Sequence, residues 1–389
     1  MGASWLEEIS EHALNRAWET AAKLARDIGS RVAGTAGERA AADIIVSEYE
    51  SRGLAVDRQP FRWVGWEPSG TPSVLIREQD GSVTKLRTSS MAFTDSTPPG
   101  GVTGRLVPAG VCELVPGLLE WPRYAVEVDG SPRAYLAVVP NGRARPFPRP
   151  ERQLLLEAIA IVGSDELTPF AERCERGERL EATIETQGRY VVGNSSVNVI
   201  VELPGVSPET IVVSAHYDTV AGTPGAGDNA SGVAGCLALA EHYSGQLLPK
   251  TLRFINWGAH EFGLLGSQMY VQDLSQRGKL ASITAAIALD ILSDGDRLGI
   301  WVGGDSFAAT FAARQATLPD GFPIELYRTG RGETDSWSFA ERGIDTAMLL
   351  TLPYSHFHLP DDTIENNNRD LFGFSVKVAQ RMVEQLLAR

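Results

Sequence analysis

Short apolar runs alternate with helix-like segments through most of the second half of the chain. The runs are rich in valine, isoleucine, leucine and alanine without strict polar alternation, which is typical of strands buried on both faces. The segments between them carry apolar residues at helical spacing. This alternation predicts an α/β fold with a mostly parallel central sheet and helices on both faces. The predicted strands are residues 197–203, 210–215, 252–257, 283–291, 298–302, 324–328 and 346–351, and the predicted helices are residues 230–245, 264–277, 307–317, 335–342 and a final one from residue 369.

The N-terminal region continues this pattern, and a long middle region interrupts it. The middle region is rich in proline, glycine and short strand-like runs. We therefore expect a main domain formed by residues 1–66 and 192–389 and a β-rich inserted domain, residues 67–191, that acts as a lid or a subunit contact. The supporting elements are an amphipathic helix within 1–28, a helix at 38–52 and a strand at 55–63, followed in the insertion by strands at 72–77, 124–128 and 133–139 and a helix at 152–159.

Five side chains of metal-binding type lie in order at or just after predicted strands. They are His216, Asp228, Glu261, Asp290 and His358. Because parallel sheets place ligands at the carboxyl ends of their strands, these side chains are expected to converge. Imidazole and carboxylate groups are the ligands of zinc and similar divalent cations. The set therefore predicts a site for two divalent cations, in which Asp218, two residues after His216, fixes the tautomer of that imidazole.

Some of these assignments have competing explanations. His356 lies two residues before His358, but the spacing to the following Asp-Asp-Thr favours His358 as the ligand. Asp290 lies in an apolar strand, where a buried carboxylate is costly unless it is paired or bound to a metal. In the turn that follows, Asp294 and Asp296 are expected to be solvated loop residues.

The motifs around the five positions resemble those of a known family. The strings HYD, GAGDNASG, HEFGLLGS, ALD and HLPDDT are similar to those of the co-catalytic zinc aminopeptidases of the aminopeptidase Y and bacterial leucyl aminopeptidase type. These enzymes share their fold with glutamate carboxypeptidases and glutaminyl cyclases. Any one of these strings alone is weak evidence for the resemblance, whereas all five in the same order make it specific. Family members often carry a small protease-associated domain where residues 67–191 lie.

The resemblance implies a zinc-peptidase-like catalytic domain that holds two Zn²⁺ ions. His216 and Asp290 would bind one ion, and Glu261 and His358 would bind the other. Asp228 would bridge the two ions. The expected substrate is a small peptide or amide.

One position departs from the family pattern. The family has two consecutive glutamates where this chain has His260 and Glu261: the second binds zinc, and the first is the general base. An imidazole can accept a proton near neutral pH, although two nearby dications would make it a weaker acceptor. His260 is therefore predicted to be an atypical general base, and two alternatives stay open: an inert side chain or an additional nitrogen ligand. Phe357 stands where relatives often carry a tyrosine that stabilises the oxyanion.

These residues predict a two-metal hydrolase that cleaves the amino-terminal bond of a peptide or an amino-acid amide. One alternative is single-zinc acyl transfer of the glutaminyl cyclase kind. Another is a zinc-binding peptidase homologue with impaired catalysis. Arg328 and Arg331 lie in a glycine-flanked loop and are candidates for contact with a substrate carboxylate.

Composition narrows the range of partners. The chain has 35 basic and 49 acidic residues, a net charge of −14, and its basic residues form no run. Such a surface disfavours nucleic acid and anionic membranes as partners. The chain has an odd number of cysteines, Cys112, Cys174 and Cys236, which predicts free thiols and no disulfide framework. Because free thiols are typical of a reducing compartment, we expect a cytoplasmic location. No apolar stretch reaches the length of a membrane span. A homo-oligomer formed through the inserted domain is a further expectation.

Overall fold

The computed structural model describes residues 7–115, 119–140, 142–147, 156–303, 318–328 and 334–389. The chain forms two compact units, Met1–Arg62 with Ser195–Arg389, and Trp63–Asn194. These limits lie close to the expected domain boundaries at residues 66 and 192. The helix predicted at 307–317 lies outside the described residues.

Sixteen strands and several helices are numbered here along the described chain. The strands are β1 Val56–Pro68, β2 Ser73–Arg77, β3 Val83–Leu86, β4 Thr88–Ser90, β5 Val102–Val115, β6 Leu119–Val128, β7 Ser131–Val139, β8 Ile159–Gly163, β9 Glu181–Glu185, β10 Gly188–Leu203, β11 Ser207–His216, β12 Lys250–Trp257, β13 Ile283–Leu289, β14 Arg297–Gly303, β15 Ile324–Arg328 and β16 Asp345–Leu352. The α-helices are α1 Glu11–Lys23, α2 Ala36–Glu50, α3 Ser164–Glu175, α4 Gly232–Tyr243, α5 Leu265–Gln276, α6 Trp337–Ala340 and α7 Arg369–Leu387.

The first unit is built on a mixed eight-stranded sheet in the order β1-β10-β12-β11-β13-β16-β14-β15. Its centre is parallel, because β11 pairs in parallel with β12 and β13, and β13 pairs in parallel with β16. The two strands that flank this centre, β10 and β14, pair antiparallel with β12 and β16, and β15 pairs in parallel with β14 at one edge. The central strands are almost fully buried, as strands covered on both faces should be.

Helices cover both faces of this sheet. Alternate residues of β11 divide between two apolar cores: Ile211 and Val213 face α1, α2, α4 and α7, whereas Val212 faces α5 and α6. Hydroxyl and amide side chains begin several of the helices, as at Thr35, whose hydroxyl accepts from the backbone N–H of Glu38 at the start of α2. The helix predicted at 335–342 is shorter in the structure, where α6 is a single turn.

The second unit has its own eight-stranded sheet, in the order β3-β2-β9-β5-β6-β7-β8-β4. Its apolar core lies between this sheet and α3 and includes Val126, Leu136 and Leu167. The helix predicted at 152–159 is wrong where the structure describes it, since Ile159 begins β8. All five residues of β8 are buried, and such a short, β-branched, fully buried run is typical of a core strand. None of the described helices combines the length and apolar character needed to cross a membrane.

Candidate metal centre

The predicted ligands lie where the central strands end. His216 is the last residue of β11, and Asp290 directly follows β13. Glu261 lies in the loop after β12, whose last residue, Trp257, is paired with His216. Asp228 comes from the turn that leads into α4, and His358 from the loop after β16. The structure brings all five residues together, as the positions of the strand ends predict.

Asp228 lies between two groups of ligands. Its Oδ1 is 3.2 Å from Nε2 of His216, which is also 3.5 Å from Oδ1 of Asp290. Its Oδ2 is 3.4 Å from Nε2 of His358, which is 3.3 Å from Oε1 of Glu261. One carboxylate therefore presents one oxygen to each group, which is the arrangement expected of a bridging ligand.

The donor atoms themselves show whether a metal fits here. Among the residues that the structure describes, four buried atoms of these ligands have no hydrogen-bond partner: Nε2 of His216, Oδ2 of Asp228, Oε1 of Glu261 and Oδ1 of Asp290. Leaving such atoms without a partner is costly, and clusters of them are rare in folded proteins. Donor atoms of His216, Asp228 and Glu261 lie within 4.8 Å of one another. Imidazole nitrogens with carboxylate oxygens suit zinc and related divalent cations, so the residues fit the predicted metal.

Two further carboxylates hold the backbone around the ligands. Asp218 accepts hydrogen bonds from the backbone N–H groups of His260, at 3.0 Å, and Glu261, at 3.1 Å. Nδ1 of His216 lies 3.1 Å from the backbone carbonyl oxygen of Asp218 and 3.6 Å from its carboxylate, so the group that fixes the tautomer of this imidazole is the carbonyl and not the predicted carboxylate. Asp362 accepts from the backbone N–H groups of Gly227, at 2.7 Å, and Asp228, at 3.0 Å. Both residues therefore orient metal ligands through hydrogen bonds, a role that commonly supports metal affinity.

The electrostatics favour positive charge at the centre. Burial lowers the pKa of His216, but the neighbouring carboxylates, Asp290 foremost, outweigh this effect and raise the pKa well above its ordinary value. Burial raises the pKa of Asp228, but the neighbouring imidazole of His216 reverses the shift and holds that pKa below its usual range. The carboxylates around His216 therefore favour positive charge at this point, which bound cations would supply.

His260 lies against this ligand set. Its ring stacks on the ring of His216, with centroids 3.7 Å apart and an interplanar angle of 6°. Its Nδ1 is 2.7 Å from Oδ2 of Asp335. Burial and the charge of His216 lower the pKa of His260, but Asp335 outweighs both and raises that pKa to about 9. The side chain of His260 is 12% exposed, whereas that of His216 is 2% exposed.

The sequence predicts Asp335 only as the first residue of a helix and gives it no role in the site. An aspartate at the start of a helix is ordinarily a capping residue, so nothing in its local sequence pointed to His260.

The two competing histidines lie in the loop between β16 and α7 and face different partners. Nδ1 and the backbone N–H of His356 both contact Asp294, at 3.1 and 2.8 Å, whereas His358 faces Asp228 and Glu261. The expectation that Asp294 is solvated is wrong, because it is buried as the partner of His356. Asp296 is exposed.

Arg31 is another residue that the sequence analysis missed. Its side chain is fully buried, and its guanidinium contacts no carboxylate among the described hydrogen bonds. It donates instead to backbone carbonyls of the first helical region and of the loops that carry His216 and Asp228. Those carbonyls belong to Leu24, Gly29, Tyr217, Pro224 and Gly225.

Arg328 ends β15, and Arg331 lies outside the described residues, so their contact with a substrate carboxylate stays a prediction.

A mixed α/β unit that gathers buried imidazoles and carboxylates at its strand ends has the architecture of a metal-dependent hydrolase. Residues 198–383 match the sequence profile of Peptidase family M28. The resemblance to zinc aminopeptidases indicated by the five motifs is thereby confirmed, and the protein is a metallohydrolase of the aminopeptidase type.

Individual relatives agree with this assignment. The chain is 27% identical to Aminopeptidase YwaD of Bacillus subtilis (strain 168) over 395 residues, which cover 91% of this chain and 80% of the relative. The structure of an aminopeptidase from Aneurinibacillus sp. strain AM-1 has a TM-score of 0.72 at 23% identity, covering 96% of this chain and 93% of that one. That of BSAP, a zinc aminopeptidase from Bacillus subtilis, has a TM-score of 0.70 at 21% identity, covering 98% and 96%. These two structures share the fold.

Proposed function

We propose that this protein is a two-zinc hydrolase that cleaves the amino-terminal bond of a peptide or an amino-acid amide. The observation that carries the proposal is the position of Asp228, which presents one oxygen to His216 and the other to His358. On this proposal, His216 and Asp290 would hold one ion, Glu261 and His358 would hold the other, and Asp228 would be shared by both. Relatives named aminopeptidases, one of them titled a zinc aminopeptidase, support the metal and the substrate class.

When bound, such a pair of cations would polarise the scissile carbonyl and lower the pKa of the attacking water. The protein's own residues do the rest. Asp218 and Asp362 keep the ligand loops in place through backbone hydrogen bonds. The ligands are buried, which excludes bulk water and strengthens the electrostatic interactions within the site.

His260 is proposed to accept the proton from the attacking water. It is the more exposed of the two stacked histidines, which suits a group that must reach a substrate. Its weakness as a base next to two cations is offset by the carboxylate of Asp335, because a nearby negative charge favours the protonated imidazole. A histidine at this point also carries no negative charge to attract a substrate ammonium group, so the preference for free amino termini is expected to be weaker than with a glutamate.

The competing role for His260 is that of an additional nitrogen ligand. Donor atoms of His216, His260 and Asp290 lie within 4.8 Å of one another, close enough for such a role. The two roles make different predictions for His260→Ala. Loss of a base leaves the metal content unchanged and lowers turnover by roughly 10²- to 10⁴-fold, whereas loss of a ligand also lowers the metal content.

The ligand arrangement bears on the two alternative functions as well. Single-zinc acyl transfer of the glutaminyl cyclase kind needs one group of ligands, and here a second group, His216 with Asp290, is present. A homologue without catalytic activity would have no need of two complete groups, although His260 and Phe357 depart from the family pattern.

The metal content tests the proposal directly. Protein dialysed with zinc and then freed of excess metal should contain close to two ions per chain by elemental analysis, because two groups of ligands share Asp228. Asp228→Ala should lose both ions, and His216→Ala should lose mainly one. Asp296→Ala, which removes an exposed carboxylate of the neighbouring turn, is the control and should keep both. One ion or none in the unmodified protein would contradict the proposal, as would failure to hydrolyse any member of a panel of aminoacyl and peptidyl amides.

A further inference from the structure

Asp335 is a buried carboxylate with a single described partner. Its side chain is 3% exposed, and its Oδ2 lies 2.7 Å from Nδ1 of His260, a residue 75 positions earlier in the chain. The other oxygen, Oδ1, is buried and has no hydrogen-bond partner in the part of the chain that the structure describes. A buried carboxylate costs stability unless it is paired, so its pairing with His260 explains why it can lie in this position.

The segment that carries Asp335 is fixed against the helix that follows His260. The backbone carbonyl of Asp335 accepts from the N–H of Ser338, at 3.2 Å, in α6. The hydroxyl of Ser338 lies 2.9 Å from the hydroxyl of Ser267 in α5, and both serines are buried. Phe339 of the same turn packs in the apolar core with Trp257, at the end of β12. Asp335 therefore has a defined position relative to the loop that carries His260.

The imidazole of His260 is restrained on a second side. Its ring lies parallel to that of His216, at 3.7 Å between centroids, so it cannot rotate without breaking this stack and the contact with Asp335. With Nδ1 engaged by Asp335, Nε2 is the nitrogen that remains for a substrate or a water molecule.

We propose that Asp335 is a positioning residue: it accepts the hydrogen bond of Nδ1–H of His260 and thereby keeps the neutral ring in the tautomer whose Nε2 can accept a proton. The role rests on the proposed function of His260 as the base. A free imidazole would divide its proton between two nitrogens and sample several orientations, whereas a carboxylate on Nδ1 selects one tautomer and one orientation. His260 and Asp335 together thus take the place of the family's single glutamate. The negative charge then lies on Asp335, on the Nδ1 side of the imidazole ring.

Asp335→Asn tests this role with the least change of shape. In the zinc-loaded enzyme, we expect kcat to fall by roughly 10²- to 10⁴-fold while KM stays within a few-fold, because the amide can donate to Nδ1 and select the wrong tautomer. Both metals should be retained. Asp296→Asn is the matched control, since it makes the same change of carboxylate to amide at an exposed residue outside the segment that carries Asp335. It should keep wild-type kcat.

The tautomer itself provides a readout that does not depend on activity. The measurement is the ¹⁵N NMR spectrum of the zinc-loaded protein labelled with ¹⁵N-histidine. The chain has six histidines, and the signal of His260 is identified by its loss in His260→Gln. Because two bound cations would favour the neutral ring, we expect a proton on Nδ1 and none on Nε2 in the unmodified zinc-loaded protein, and a shift toward the Nε2–H tautomer in Asp335→Asn. A bare Nδ1 in the unmodified protein would overturn the proposal without the need for any variant.

A double substitution separates this inference from the function on which it rests. If Asp335 acts through His260, adding Asp335→Asn to His260→Ala should cause no further loss of kcat. An additive loss would overturn the positioning role. Full activity of His260→Ala would instead overturn the base role of His260. Loss of activity in His260→Ala together with wild-type kcat in Asp335→Asn would overturn the role of Asp335 alone.

Discussion

At the residue scale, several carboxylates in the first unit serve the protein through their hydrogen bonds and not as metal ligands. Asp218 and Asp362 hold the loops of the ligands, and Glu38 joins the start of α2 to the β10 strand. Glu38 accepts from the backbone N–H of Gly34, at 2.6 Å, and from the hydroxyl of Ser196, at 2.5 Å. Burial, reinforced by the charge of Asp218, raises the pKa of Glu38 to about 8.

This pKa leads to a prediction about stability and pH. Between the ordinary pKa of a glutamate and about 8, folded Glu38 keeps a proton that the unfolded chain releases. The folded state therefore binds more protons, and the free energy of unfolding falls as the pH rises through this window, by at most about 1.4 kcal/mol per unit of pKa difference. Glu38→Gln should gain stability relative to wild type between pH 5.5 and 8.5, measured by urea unfolding at both values.

The matched control for that measurement is Glu365→Gln, which changes an exposed carboxylate. Its stability relative to wild type should stay nearly constant across the same pH range. A constant difference for Glu38→Gln as well would show that Glu38 is ionised in the folded protein throughout.

At the element scale, the strands could be predicted more closely than the short helices. The run predicted at 324–328 coincides with β15, and the other apolar runs of the first unit fall on strands, because burial on both faces demands continuous apolar sequence. Helix α6 is shorter than its prediction. Its polar residues make tertiary contacts, such as that of Ser338 with Ser267, and a single sequence window carries no sign of such contacts.

The same reasoning explains which parts of the metal centre could be predicted. His216 and Asp290 stand at the ends of apolar strands, where metal-binding side chains are conspicuous. Arg31 and Asp335 act on partners far along the chain, and the partners of Arg31 are backbone carbonyls, which every residue possesses. No pattern of residue types marks such a contact.

Arg31 joins the end of the first helical region to the loops that carry the metal ligands, and this gives the element-scale prediction. Arg31→Met should leave several buried carbonyls without donors, Tyr217 and Gly225 among them. We expect the free energy of unfolding to fall by at least about 3 kcal/mol and zinc affinity to weaken, since Tyr217 adjoins His216. Urea unfolding and zinc titration measure the two effects. Arg39→Met, at an exposed arginine that donates to a single carbonyl, should change neither by more than about 0.5 kcal/mol; equal effects of the two variants would contradict the role of Arg31.

At the scale of the whole molecule, the first unit contains all five ligands, and each unit has apolar cores of its own. The role of the second unit as a lid or subunit contact stays a prediction, and so do the homo-oligomer and the cytoplasmic location. The surplus of acidic residues, with a net charge of −14, continues to disfavour nucleic acid as a partner.

Metal removal should therefore act on one unit only. A ligand that binds the folded state alone stabilises it by RT ln(1 + [L]/Kd), about 2.7 kcal/mol at a hundredfold excess over Kd. The five ligands are spread from residue 216 to residue 358 and meet only in the folded first unit. In scanning calorimetry, a chelator should lower the melting transition of that unit by on the order of 5–10 °C and leave the transition of the second unit in place. Added zinc should restore the first transition. In Asp228→Ala, the melting temperature of the first unit should neither fall with the chelator nor rise with added zinc. If chelation left the transition of the first unit unchanged, the metals would not be a stabilising part of that unit.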